Sequence, residues 1–218
     1  WFTFLCNGGE RRSRNKVLRH LPTEPNLRLL DVAIGDGVYL NWLPKTWQIA
    51  GVDISPMQLA DSRRRAGDRD LPLALAEAED LPFFDDQFDA VLSIGGFNYF
   101  NDPEQSLREM ARVVRPGGTI VISDEVPNLT DRMIGHKLGV KPLMNLERWI
   151  LARMMHLGDD FTDIVERHRS LNIAEIGRRV LPDCHYQTIW QGVGYVMVGT
   201  VPILEQSTTT ENATIQTF

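Results

Sequence analysis

Short apolar runs alternate with longer amphipathic segments from residue 27 onward. A short apolar run fits a strand that is buried on both faces, whereas apolar residues repeated every three or four positions fit a helix. The alternation therefore predicts a parallel sheet covered by helices on both faces. The candidate strands of this sheet are 27–33, 48–53, 72–77, 88–93 and 119–124.

Two helices of this region carry start signals. Asp102 precedes Pro103 and is followed by Gln105, which is the pattern of a capping box with proline in the first helical position. The segment 55–58, Ser-Pro-Met-Gln, repeats that pattern directly after the second candidate strand. The Pro-Gly-Gly segment 116–118 is expected to end the helix that begins at Asp102.

The alternation stops after residue 124. Residues 172–180 predict a last helix, and β-rich runs follow at 184–190 and 194–201. The connection between these runs is too short for a parallel crossover, so the two strands are expected to be antiparallel. The expected organisation is an N-terminal lid and helix at 1–26, a main domain at 27–202 with a helical insertion at 127–170, and a disordered tail at 203–218.

Composition and charge narrow the class of protein. The chain has 218 residues, with 23 basic and 29 acidic side chains and a net charge of −6. This size suits one large domain, and the negative charge makes a nucleic acid an unexpected partner. No apolar run approaches the ~18 residues of a membrane span. Cys6 and Cys184 stand in no metal-binding or redox spacing, which favours free thiols, no metal and a cytoplasmic location.

The segment 29–37, Leu-Leu-Asp-Val-Ala-Ile-Gly-Asp-Gly, predicts a buried strand that runs into a glycine turn, with a short helix over 38–43. Such a turn lets the backbone approach a nucleotide closely. The dinucleotide fingerprint requires three glycines here, but Ala33, Gly35 and Val38 occupy the three positions. The turn thus departs from the pattern of a pyrophosphate-binding loop.

The charge of this turn favours a cationic ligand. No Lys or Arg occurs between residues 29 and 44, whereas Asp31 and Asp36 lie in or beside the turn. Carboxylates repel phosphates and attract a sulfonium or an ammonium group. Asp53 ends the second strand, where an acid accepts hydrogen bonds from ribose hydroxyls. The segment 77–83 offers a carboxylate for an adenine amino group and an apolar wall for the ring.

These segments together resemble the class I S-adenosylmethionine-dependent methyltransferases, particularly the small-molecule branch that includes the ubiquinone and menaquinone biosynthesis C-methyltransferases. The resemblance covers residues 27–125 and includes two further family-like segments at 85–91 and 112–118. It implies an α/β fold: a Rossmann-like three-layer sandwich whose seven-stranded, mostly parallel sheet has an antiparallel last strand. It also implies methyl transfer from S-adenosyl-L-methionine to a small, apolar or aromatic acceptor, with S-adenosyl-L-homocysteine as product.

The resemblance assigns parts of the cofactor to parts of the chain. Asp31 and the turn 33–37 are implied to hold the methionine end, Asp53 the ribose and residues 77–78 the adenine edge, while 93–99 lies under the reactive methyl group. The full set of implied cofactor-binding residues is Asp31, Ala33, Gly35, Asp36, Gly37, Asp53, Ile54, Glu77, Ala78, Glu79 and Ser93.

Methyl transfer from a sulfonium requires alignment of the acceptor, and a protonated acceptor also requires a base. Asp124 and Glu125 end the fifth strand, and His136 lies in the segment after it. Tyr99 follows the fourth strand, where an aromatic ring would face the sulfonium. The candidate catalytic residues are therefore Tyr99, Asp124 and His136, and acceptor recognition is expected in the insertion 127–170.

Two alternatives stay open at this point: a non-catalytic partner subunit that binds S-adenosylmethionine without turnover, and a nicotinamide-dependent oxidoreductase. The stretch 1–9 either covers the mouth of the site or packs against the sheet or a second subunit, so a monomer or a homodimer is expected. The arginines at 63–65, 108, 112 and 115 are expected on solvated helix faces.

Overall fold

Seven strands pair into one sheet in the order β3-β2-β1-β4-β5-β7-β6. The computed structural model describes residues 8–127, residue 142 and residues 171–203. The strands within these ranges are β1 (Arg28–Val32), β2 (Gln48–Asp53), β3 (Leu73–Leu75), β4 (Phe88–Ile94), β5 (Val114–Glu125), β6 (His185–Ile189) and β7 (Gly194–Thr200).

The pairing confirms the predicted sheet. Strands β1 to β5 pair in parallel, and β7 runs antiparallel to both β5 and β6. The chain leaves β1 for β2 on one side and later returns to β4 on the other side, so the strand order reverses between β1 and β4. Ligands of open α/β sheets bind at such a point, outside the carboxyl ends of the strands.

Helices cover both faces of the sheet. One apolar cluster contains Val17 and Leu59 from the helices α1 and α2, and the other contains Met110 and Ile173 from α3 and α4. The sheet therefore separates two cores, which is the three-layer arrangement expected from the sequence. The helix bounds are α1 (Glu10–Leu18), α2 (Pro56–Ala66), α3 (Pro103–Val113) and α4 (Ile173–Val180).

The predicted helix starts are confirmed by side-chain caps. The Ser55 hydroxyl accepts a hydrogen bond from the Gln58 backbone N–H, and the Asp102 carboxylate accepts one from the Gln105 N–H. The return half of the capping box is absent at Asp102, because its own N–H donates to the Glu79 carboxylate instead. The start of α3 is thereby tied to the segment after β3.

Three predicted elements have different bounds. The helix expected over 38–43 is a 3-10 turn at Leu40–Trp42, and β3 is shorter than the predicted 72–77. The Pro-Gly-Gly segment 116–118 lies inside β5, because the Gly117 N–H and the Gly118 carbonyl bond to the backbone of Val201. The glycines thus follow the end of α3 at Val113 as part of the strand, although Gly117 has a φ of 76°.

Several expectations concern residues outside the described ranges: the stretch 1–7, most of the insertion 127–170 with His136, and residues 204–218. None of the helices in the described residues has the length and the apolar character that a membrane span requires.

Candidate functional site

A cleft of about 570 Å³ opens at the carboxyl ends of β1, β2 and β4. We call it the site cleft. It lies at the point where the strand order reverses, as expected for a nucleotide site in this type of sheet. Its lining residues are Asp31, Ala33, Ile34, Gly35, Asp36, Val38, Tyr39, Asp53, Gln58, Asp61, Ile94 and Gly95.

The glycine turn forms one wall of the site cleft by using the left-handed backbone region three times. Ala33, Gly35 and Gly37 have φ values of 60°, 57° and 73°. A Cβ atom at Gly37 would lie 2.8 Å from the Ser62 hydroxyl oxygen and 2.7 Å from a Leu40 methyl carbon, so only glycine fits there. Ala33 adopts the same left-handed conformation although it has a Cβ atom. This conformation is strained for a residue other than glycine.

Asp53 fixes the turn to the end of β2. Its two carboxylate oxygens accept hydrogen bonds from the backbone N–H groups of Gly35 and Ser55, each at 2.9 Å. Each carboxylate oxygen has two lone pairs, so both can accept a further hydrogen bond. Asp53 is therefore oriented by the fold and retains capacity for two hydroxyl donors.

Asp31 is the most deeply buried carboxylate of the site cleft, with 4% of its surface exposed. Burial raises its pKa to about 8, and the charge of nearby Asp53 adds to the shift. A cation placed beside Asp31 would favour the ionised carboxylate. This position is consequently suited to an ammonium or a sulfonium group.

Two arginines lie near the site cleft, although the sequence patterns did not predict them there. Arg65 donates to both the backbone oxygen and the carboxylate of Asp36, which corrects the expectation that the arginines 63–65 lie on a purely solvated face. The Arg14 guanidinium stacks 4.4 Å from the centre of the Tyr39 ring, and it also pairs with Glu10. The contacts of Arg65 with Asp36 and of Arg14 with Tyr39 join residues about 25 positions or more apart, so local sequence patterns carry no signal for them.

The lining of the site cleft remains acidic despite those contacts. Among the residues that the structure describes, its lining includes four aspartates, Asp31, Asp36, Asp53 and Asp61, and no lysine or arginine. The arginines that pair with Asp36 and Asp61 come from α2, outside the lining. The cleft therefore suits a cationic adenosine derivative and repels a pyrophosphate.

The residues expected at the adenine edge, Glu77 and Ala78, lie on the segment after β3, whereas Ile54, another expected cofactor-binding residue, directly follows β2. Ile54 is 71% exposed, Glu77 is exposed and Ala78 is buried in the core. Glu79 accepts the hydrogen bond from the Asp102 N–H described above. The structure thus leaves the side chains of Ile54 and Glu77 accessible, while those of Ala78 and Glu79 support the segment.

Side chains of helix α3 form hydrogen bonds to the segment that follows β3. Arg112 donates to the backbone oxygens of Leu81 and Phe83 at 3.0 and 2.9 Å, and Glu109 accepts from the Leu81 N–H at 3.0 Å. Arg112 was expected on a solvated face, which is wrong, because its guanidinium reaches over the loop and also pairs with Asp85. Arg115 likewise pairs with Asp89 instead of only facing solvent.

The ends of β4 and β5 form a polar cluster next to the site cleft. Asp124 is 2% exposed, and its oxygens accept from the N–H groups of Asn98 and Glu125 at 3.0 and 2.9 Å. The Tyr99 hydroxyl donates to the Glu125 carboxylate. Ser93 is fully buried, and its hydroxyl has no hydrogen-bond partner among the described residues.

This cluster adjoins the glycine turn through Gly96. A Cβ atom at Gly96 would lie 2.5 Å from the Ala33 Cβ, so the backbone after β4 packs directly on the turn. The Gly95 N–H donates to the Ser123 carbonyl at 2.9 Å, which ties that backbone to β5. The backbone after β4 therefore connects the glycine turn to the 3-10 turn that carries Tyr99, although neither Tyr99 nor Glu125 is among the lining residues of the site cleft.

Comparison with known proteins found similar sequences over the segment that runs from β1 to β5. Residues 30–122 match the family model described as a methyltransferase domain. The chain is 33% identical over 123 residues to a demethylmenaquinone methyltransferase of Renibacterium salmoninarum, covering 55% of this chain and 50% of that protein. It is 34% identical over 125 residues to the ubiquinone/menaquinone biosynthesis C-methyltransferase UbiE of Laribacter hongkongensis, covering 54% and 51%. The chain thus spans about half the length of the curated relatives it matches.

Solved structures share the fold at low sequence identity. A phosphoethanolamine N-methyltransferase of Haemonchus contortus superposes with a TM-score of 0.63 at 16% identity, covering 92% of this chain and 55% of that one. An S-adenosylmethionine-dependent methyltransferase of Aquifex aeolicus gives 0.56 at 16% identity, covering 86% and 88%. Residues 30–122 thus match a methyltransferase domain, and about half of the chain is similar to ubiquinone and menaquinone C-methyltransferases.

Proposed function

We propose that this chain transfers a methyl group from S-adenosylmethionine to a small aromatic acceptor of the hydroquinone type, with S-adenosylhomocysteine as product. The observation that carries the proposal is the acidic lining of the site cleft at the carboxyl edge of the sheet. The similarity to demethylmenaquinone methyltransferases supports the acceptor class.

The site cleft fits the cofactor by the chemistry of its donors and acceptors. Asp53 is oriented to accept from the ribose hydroxyls, and Asp31 is placed for the ammonium group of the methionine end. The turn 33–37 offers close backbone approach, while Ile54 and the segment 77–79 border the adenine edge. When bound, the cofactor supplies an activated methyl group on a sulfonium.

The protein must then align the acceptor with the methyl group and exclude water. The proposed acceptor side is at the ends of β4 and β5, where Tyr99 and the buried Ser93 and Asp124 lie. The lining opposes a nicotinamide dinucleotide, because the pyrophosphate would meet the Asp53 carboxylate and no basic side chain among the described lining residues.

A methyl-transfer assay tests the proposal. The full chain is incubated with S-adenosylmethionine carrying a ¹³C-labelled methyl group and with 1,4-naphthohydroquinone under anaerobic conditions. Mass spectrometry should detect a product heavier by one labelled methyl group, together with S-adenosylhomocysteine. The Asp53→Ala variant should bind S-adenosylhomocysteine about ten-fold more weakly, because it loses hydrogen bonds to a charged group.

Asp68→Ala provides the matched control, since Asp68 is an exposed carboxylate after α2, near the amino ends of the strands. Its variant should bind S-adenosylhomocysteine like the wild type. Equal affinities for wild type and Asp53→Ala would remove Asp53 from the site, and absence of labelled product would contradict the activity.

A further inference from the structure

The ends of β4 and β5 bring two carboxylates and a phenol together, and their environments differ. Asp124 is buried, with both oxygens on backbone N–H groups, whereas Glu125 is only partly buried and carries its hydrogen bond from the Tyr99 hydroxyl. These differences allow a separate role for each residue. The following inference rests on the proposed function.

We propose that Glu125 is the general base that takes the proton from the acceptor, and that Tyr99 and Asp124 position it. Glu125 ends β5 at the carboxyl edge of the sheet, on the strand next to β4. The backbone after β4 lines the site cleft at Gly95 and packs on Ala33 at Gly96. An acceptor that reaches the cleft from the β4 and β5 side would therefore meet the Glu125 carboxylate.

Asp124 is unsuited to this role by its geometry. Its carboxylate holds the Asn98 N–H and thereby the turn that carries Tyr99. Burial raises the pKa of Asp124 well above its usual value, and the Glu125 charge adds to the shift. The two carboxylic acids therefore lie in different environments, and such a difference commonly separates the roles of paired carboxylic acids.

Tyr99 is likewise a positioning residue. Burial and the Glu125 charge raise the pKa of its hydroxyl, so the phenol stays protonated and donates to the carboxylate. The Glu125 backbone is held as well, since the Asn98 side-chain amide donates to the Glu125 carbonyl at 2.7 Å. Tyr195 then donates to the Asn98 side-chain oxygen at 3.1 Å. The base is therefore fixed from two sides.

The proton balance defines the class of acceptor. The electron pair of the acceptor atom forms the new bond to the methyl carbon as the S–CH₃ bond breaks, and the pair of that bond stays on sulfur. The positive charge then leaves the acceptor as a proton, which Glu125 accepts. A ring carbon or hydroxyl of a hydroquinone requires this step, whereas methylation of a tertiary amine does not. The cluster thus favours an acceptor that loses a proton.

The experiment compares the wild type with Glu125→Gln, Glu125→Asp and Tyr99→Phe in the full chain. S-adenosylhomocysteine binding is measured by calorimetry, and methyl transfer to 1,4-naphthohydroquinone is measured between about pH 5 and 9. Binding of that hydroquinone to the S-adenosylhomocysteine-loaded protein gives a readout without turnover. Circular dichroism reports whether each variant folds.

Glu125→Gln should bind S-adenosylhomocysteine like the wild type but lose about 100-fold or more in kcat, as expected when a general base is removed. It should also lose the acidic limb of the pH profile, because the group that must be ionised is gone. Glu125→Asp should keep that limb at a reduced rate, and Tyr99→Phe should keep it with a smaller loss in kcat.

Three titratable groups of the described chain interact with Glu125, namely Tyr99, Asp124 and Tyr195.

The possible outcomes distinguish a failure of the general-base role from a failure of the proposed function. If the wild type methylates the hydroquinone and Glu125→Gln reacts at an equal rate or keeps the acidic limb, the role of Glu125 as general base is overturned. The proposed function then stands. Equal hydroquinone affinity of wild type and Glu125→Gln also counts against it. A wild type that binds S-adenosylhomocysteine but neither binds nor methylates the hydroquinone contradicts the acceptor class and the need for a base. A wild type that does not bind S-adenosylhomocysteine overturns the proposed function.

Discussion

Asp31 and Asp53 line the same cleft but interact with the fold in different ways. Asp53 is oriented by two backbone N–H groups, while Asp31 is buried and its pKa is raised to about 8. At neutral pH the free protein therefore holds a proton on Asp31. A bound ammonium group would favour the ionised form, so binding is coupled to the release of that proton.

Binding of S-adenosylhomocysteine at pH 7 should consequently release a proton from Asp31. Calorimetry in two buffers of different ionisation enthalpy should give different apparent enthalpies, and affinity should rise as the pH approaches about 8. Asp31→Asn should abolish the buffer dependence, and Asp68→Asn should leave it intact. An apparent enthalpy that is equal in both buffers would contradict the role of Asp31.

The same shift has a consequence for the free protein. The folded-state pKa of Asp31 lies above that of an unfolded aspartate, near 3.9. Its contribution to stability is therefore fully present below about pH 4 and declines as the pH rises towards 8. The burial of Asp31 thus lowers the stability of the unliganded protein at neutral pH, while it provides a site for a cation.

Sequence patterns predict Asp31 and Asp53 because each residue lies in or at the end of a recognisable apolar strand. The same patterns did not place Arg65 on Asp36 or Arg14 on Tyr39, since those contacts depend on where α1 and α2 pack. The turn therefore has no basic residue of its own, yet Arg65 reaches it from α2. Both arginines lie outside the residues that line the cleft.

At the level of elements, α3 controls the loop that follows β3. Arg112 and Glu109 hold the backbone of Leu81 and Phe83 through three hydrogen bonds. Asp102, the cap of the same helix, is joined to Glu79. The segment proposed for the adenine edge is thus supported by a helix that contributes no lining residue to the site cleft.

Arg112→Met should weaken S-adenosylhomocysteine binding roughly three- to ten-fold and lower the free energy of unfolding by about 1–2 kcal/mol, because it removes hydrogen bonds to the loop. Arg108→Met is the matched control, since Arg108 forms an exposed pair with Glu104 one turn away. That variant should keep its affinity and change stability by less than about 0.5 kcal/mol. Calorimetry and thermal unfolding measure both effects. Similar losses in the two variants would refute the loop-support role.

Helix starts and strands were predictable to different degrees. Ser55 and Asp102 are caps whose signal lies within four residues of sequence, and both are confirmed. Strand β5 begins earlier than expected because the segment 116–118 pairs with backbone from the far end of the chain, at Val201. Local turn signals carry no information about such a partner.

On the scale of the whole molecule, alternating apolar runs were sufficient to predict a parallel sheet with helices on both faces. The antiparallel β7 followed from a connection too short for a crossover, and the structure confirms it. The strand order could come only from the family resemblance or the structure, because periodicity does not say which strands are neighbours. The reversal between β1 and β4 is what places the carboxylates in one cleft.

The central claim is that this cleft is built for a positively charged adenosine derivative. Isothermal titration calorimetry of the full chain with S-adenosylmethionine, S-adenosylhomocysteine and NADH, under one set of conditions, tests it most directly. Both adenosyl ligands should bind saturably at one site, while NADH should give no binding heat. Tighter binding of NADH than of S-adenosylhomocysteine would contradict the account.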